Sequence, residues 1–62
     1  MHDIAALLRE IERVDGMTMA ALRDWAWRRL GLEPAGVEVA VTELVRLGKV
    51  ARRANIDCVV PK

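Results

Sequence analysis

Apolar residues recur along this chain with a helical period up to about residue 47, then with the alternation of short strands. Ile4, Leu7, Leu8 and Ile11 stand at i, i+3, i+4 and i+7, one face of a helix, and Val14 extends the stripe. The spacing predicts a helix over 3–14. Asp3 suits its first turn as a cap and as a charge at the positive end of the helix dipole. Asp15-Gly16 stops it, with Gly16 free to take a left-handed conformation. A brief extended piece, Met17-Thr18, leads into a second helix over 19–30, with Thr18 as its N-cap. Met19, Leu22, Ala26 and Leu30 share one side of that helix. Trp25 and Trp27 flank it on opposite edges, about 200° apart. Trp25 is expected in the core and Trp27 at the surface. Gly31 ends the helix.

Leu32-Glu33-Pro34 connects to a third helix over 34–47, whose first turn suits Pro34. Val37, Val41, Leu44 and Val45 form its buried stripe, with Ala40 beside them, and Gly48 stops it. The valines lower helix propensity, and Val37 to Val41 also alternates like a strand. The helix is preferred because 37, 41, 44 and 45 then meet on one face between Pro34 and Gly48. From Lys49 the pattern changes. Val50 to Arg53 and Ile56 to Val60 are strand-like runs, Ala54-Asn55 makes a tight turn between them, and Pro61 ends the second. The expected fold is mainly α with a small β-hairpin over about 49–60, in a single domain spanning 1–62.

Composition narrows the chemistry. A chain of 62 residues buries only about 60% of its unfolded surface, so it needs dense packing. With 53% hydrophobic residues it has the material, almost all of it aliphatic, since Trp25 and Trp27 are the only aromatics. Cys58, the single cysteine, cannot form an internal disulfide and reads as a buried structural thiol. Cys58 with His2 gives too few ligands for zinc, so no metal is expected. No glycine-rich phosphate loop, no Ser/His/Asp set and no pocketed carboxylate pair is present. The expectation is a non-enzyme without cofactor or small-molecule substrate. No apolar run approaches the roughly 20 residues of a membrane span, and charges interrupt residues 1–14 where a signal peptide would be apolar. A cytoplasmic protein without membrane contact is expected.

Ten basic and nine acidic residues leave a net charge of +1, unevenly placed. Residues 46–53 hold Arg46, Lys49, Arg52 and Arg53 and no acid. The connector and third helix carry Glu33, Glu38 and Glu43.

The order helix, extended piece, helix, turn, helix, glycine, hairpin is accompanied by Leu30-Gly31-Leu32 at the turn, by Val37 and Ala40-Val41, and by Leu44 to Val50 reading L-V-R-L-G-K-V. From Thr18 to Arg53 the chain resembles the winged helix-turn-helix superfamily. That resemblance implies a three-helix winged helix-turn-helix fold that binds double-stranded DNA, as a transcriptional regulator or architectural factor. One unit reads few base pairs, so a homodimer is a further expectation. Two features depart from the pattern: Trp27 stands where a small residue lets the motif helices approach, and the wing is short. The acidic third helix also opposes phosphate, where base readout uses Arg, Lys, Asn or Gln. Binding is therefore expected mainly through phosphate contacts from Arg46, Lys49, Arg52, Arg53 and Arg28, with Thr42 touching a thymine methyl.

The alternative is a winged-helix protein-interaction module using Trp27, or Val39 and Glu38 on the open face of the third helix. The chain is also similar to the ferrous-iron transport accessory protein C family in length, helix order and the G-K-V stretch. That family carries several wing cysteines where this chain has Cys58 alone, so no iron role is implied. A contiguous positive surface of Arg46, Lys49 and Arg52 would favour DNA; an apolar patch around Val39 or Trp27 would favour a protein.

Overall fold

The computed structural model describes residues 2–62, with side chains from Asp3 onward. The side chain of His2, counted with Cys58 in the zinc argument, lies outside the described residues. The elements are α1 (His2–Val14), β1 (Met17–Thr18), α2 (Met19–Leu30), α3 (Pro34–Arg46), β2 (Val50–Arg53) and β3 (Cys58–Pro61). The protein is mainly helical, with a small three-stranded antiparallel sheet in the order β1-β3-β2.

Local chemistry sets the helix ends. At the end of α1 the left-handed residue is Asp15 (φ 58°), one position earlier than expected. Aspartate tolerates that conformation better than most residues. The Asp15 N–H donates to the Glu12 carbonyl at 3.2 Å and the Gly16 N–H to the Ile11 carbonyl at 3.0 Å, which together close a Schellman cap. Gly16 is needed for a different reason. Besides its φ of 107°, a Cβ there would lie 3.0 Å from Val60 Cγ1. The Thr18 hydroxyl accepts from the Ala21 N–H at 3.1 Å, which is the N-cap foreseen for α2. The third helix ends at Arg46, with Leu47 as its cap. Gly48 (φ 74°) then takes the left-handed position that closes a second Schellman cap, with Lys49 N–H to Leu44 carbonyl at 2.9 Å.

The sheet differs from the expected hairpin in three ways. Met17 and Thr18 pair with Val59 and Cys58, so the extended piece is a third strand. The turn between β2 and β3 takes four residues, 54–57, with Asp57 at φ 45°, instead of Ala54-Asn55 alone. Ile56 therefore stands outside the strand and exposed, and β3 begins at Cys58. Pro61 pairs with Val50 as the last residue of β3. There it lies beyond the two-residue β1, at a strand end that tolerates the missing N–H.

One aliphatic core joins these elements. Leu7 and Ile11 of α1, Met19, Leu22 and Ala26 of α2, and Val37, Ala40, Val41 and Leu44 of α3 meet Val50 and Val59 of the sheet. Trp25 packs at its edge, and Cys58 is buried beside it. Two expectations fail at the margin: Val14 and Val45 are exposed. Val45 lies 100° past Leu44, beyond the arc that α3 buries. The small residue on the packed face of α2 is Ala26, fully buried, while Trp27 is 59% exposed and outside the helix packing. Trp27 is thus no obstacle to the helices meeting.

Candidate functional site

Two surfaces of α3 bear on several of the residues singled out from the sequence. Around α3 the charges are largely matched, at the hairpin through Arg52 and along the cleft side through Arg46. Arg46 donates from Nε and Nη2 to the Glu43 carboxylate at 2.7–2.9 Å. Arg28 pairs with Asp24 one turn earlier on α2. Arg52 donates from Nη1 to Glu38 Oε2 at 2.7 Å and from Nη2 to Asp57 Oδ1 at 2.9 Å. Arg23, from α2, joins the same Glu38 carboxylate at 3.2 Å. The guanidinium of Arg52 holds the Glu38 carboxyl below its ordinary range, and Arg46 does the same for Glu43. Arg52 is in turn held more firmly protonated by Glu38 and Asp57. Each of these guanidiniums has a carboxylate against it.

Lys49 and Arg53 are exposed and make no ion pair among the described residues. Lys62 is brought next to Lys49 by a backbone hydrogen bond, its N–H donating to the Lys49 carbonyl at 3.1 Å. The trio of Arg46, Lys49 and Arg52 therefore offers one cation without a carboxylate partner.

The other side of α3 faces the start of α1 across an open cleft of about 470 Å³. Ile4, Leu32, Gly36, Val39 and Ala40 make its apolar lining, with Asp3, Thr42, Glu43 and Arg46 along it. Val39, in the middle, is 71% exposed. Gly36 lets Leu32 lie against the helix, since a Cβ at that position would come within 2.6 Å of Leu32 Cδ1. A glycine inside a helix weakens it by roughly 0.5–1 kcal/mol relative to alanine, so Gly36 was a sequence signal of close packing that went unread. Asp3, Ile4 and Leu32 were also missed as surface residues, because Ile4 reads as core and Leu32 as connector.

Thr42 lines this cleft together with Glu43 and Arg46. Glu38 is in the ion network, and Trp27 lines neither surface. Among the described residues no three His, Cys, Asp or Glu side chains converge as metal ligands. No helix among them is long and apolar enough to cross a membrane. Comparisons with family models, with curated proteins and with solved structures find no match to this chain.

Proposed function

We propose that the domain is a winged-helix protein-interaction module that receives an amphipathic helix of a partner protein in the cleft between α1 and α3. The element order, with β1 closing the hairpin into a three-stranded sheet, supports the winged-helix reading. The observation that carries the functional reading is Val39, an aliphatic side chain left 71% exposed over an apolar cleft. In a DNA-binding winged helix the open face of this helix would enter the major groove. Here that face offers aliphatic carbon and a Glu43 carboxylate already paired with Arg46. A helix in a groove is read through aliphatic anchors at i, i+3 or i+4 and i+7. A basic residue at its end would meet Asp3.

Selection from a displayed library of helical peptides tests this. Binders should share spaced aliphatic anchors, shift the amide resonances of Ile4, Val39 and Thr42, and lose affinity for Val39→Asp. Binders that ignore Val39→Asp would overturn the reading.

A second reading is binding of double-stranded DNA through phosphates, as a transcription regulator or architectural factor. It is favoured by exposed Lys49 and Arg53, which have no ion pair among the described residues, and by Lys62 beside Lys49. It predicts duplex binding at about 50 mM salt that falls steeply as salt rises. Absence of binding at that salt would sink it.

A further inference from the structure

Some ion pairs join neighbours one helical turn apart, as in Glu43 with Arg46 and Asp24 with Arg28. Glu38 is different. Arg23 stands 15 positions before it and Arg52 14 positions after it, and both reach its carboxylate. Arg23 Nη1 lies 3.2 Å from Oε1, while Arg52 places Nη1 2.7 Å from Oε2 and Nη2 3.3 Å from Oε1. Arg52 thus grips the carboxylate with two nitrogens, and a second guanidinium closes in from another element. Two guanidiniums around a planar oxyanion also form a donor set that binds phosphate.

The surroundings fix this arrangement in place. The Met19 N–H, at the start of α2, donates to the Asp57 carbonyl at 2.9 Å, tying the turn between β2 and β3 to α2. Asp57 Oδ1 then accepts from Arg52 Nε and Nη2 at 3.2 and 2.9 Å. Arg23 and Arg52 are 33% and 32% exposed and Glu38 is 42% exposed, so solvent reaches all three. The four side chains sum to zero charge. Without the charge of Glu38 they sum to +1.

We infer that Glu38 is the resident anion of a two-arginine oxyanion site, and that it keeps a phosphate group out of that site. The site does not depend on the apolar cleft. Its ligand is a phosphate oxyanion, carried by the free ion or by a nucleic-acid backbone.

The test uses the full chain with Glu38→Gln, which keeps the side-chain shape and removes the charge. Inorganic phosphate is titrated while the Nε resonances of Arg23 and Arg52 are followed, and a duplex DNA is titrated by fluorescence anisotropy. An exposed charge pair sets the scale, so phosphate affinity should rise about fivefold over the native chain. Adding Arg52→Ala should remove the gain. Glu12→Gln adds the same charge on α1, at a side chain without an ion pair among the described residues, and should give no gain. A gain with both ligands assigns the site to a nucleic-acid backbone, and a gain with inorganic phosphate alone assigns it to the free ion. No gain, or an equal gain from Glu12→Gln, overturns the inference. Should Glu38→Gln fail to fold by circular dichroism, Glu38→Ala, which also removes the charge, replaces it, and no gain there is equally fatal.

Discussion

The two sides of α3 are built on opposite principles. Toward the hairpin, every guanidinium that reaches the helix has a carboxylate, and Arg23, Glu38, Arg52 and Asp57 alternate in sign across α2, α3 and the sheet. Toward α1, the helix leaves aliphatic carbon uncovered around Val39. The charged side is close to satisfied as it stands, whereas the apolar side gains free energy from any complementary cover. Exposed ion pairs contribute roughly 0–1 kcal/mol each, while buried apolar surface contributes about 25 cal/mol per Å². By that measure the apolar side is where a partner gains most. Of the basic residues that looked like the binding surface, Arg52 ties the hairpin to α3, while Arg46 and Arg28 pair within their own helices.

The largest test of the comparison separates the buried face of α3 from its open one. Leu44→Ala should cost about 2–5 kcal/mol. A core in a chain this short supplies little more than about 3–5 kcal/mol, so the variant should be largely unfolded at 25 °C by circular dichroism. Val39→Asp, five residues earlier, should leave stability within roughly 0.5 kcal/mol, as expected for a surface change, while abolishing binding of cleft-selected peptides. If Val39→Asp unfolds the domain, Val39 is core and the comparison collapses.

Gly48→Ala comes next. Space is not the obstacle, since nothing lies within 4 Å of the added Cβ, but φ is 74°. A left-handed alanine costs about 1–2 kcal/mol, to be read as a lower denaturant midpoint with an unchanged slope. Gly36→Ala has the opposite balance. Helix propensity favours it by roughly 0.5–1 kcal/mol, but its Cβ displaces the flexible end of Leu32. The midpoint should move little while peptide affinity for the cleft changes, a separation only a binding face produces.

How much of this was legible in the sequence follows the range of the interactions. The three helices rest on local period, on Thr18 as a cap and on glycine stops, and they stand within a residue or two of expectation. Met17-Thr18 carries no local strand signal. It becomes β1 only because β3, forty residues away, lies alongside. The turn widened to four residues because Asp57 accepts a left-handed φ and its carbonyl is held by Met19. The same limit applies to function. Glu38 read as a charge that repels phosphate and Arg52 as one that attracts it, each correct in isolation. Only the fold places them 2.7 Å apart, where they cancel. The cleft was missed because Ile4 and Leu32 bury one side and show the other.

The smallest effect concerns acid. Glu10, Glu38 and Glu43 each ionise more readily in the folded chain than the ordinary value of 4.5, because Arg13, Arg52 and Arg46 hydrogen-bond their charged forms. In the unfolded chain these carboxyls take up protons at a higher pH, so the unfolded state binds more protons between the two values and stability rises with pH there. The contribution is therefore complete above the ordinary value and is lost as pH falls through the lowered ones. The melting temperature should be level near neutrality and decline as pH drops from about 5 toward 3. Of the three, only Glu38 is held by a guanidinium from the hairpin. Glu38→Gln should flatten the acid decline and also weaken protection of the Met19 amide, which bonds to the Asp57 carbonyl, against hydrogen exchange. Glu43→Gln should flatten the decline and leave that amide alone. If both variants behave alike at Met19, the charged side of α3 does not hold the hairpin, and the two sides of the helix are less different than their chemistry implies.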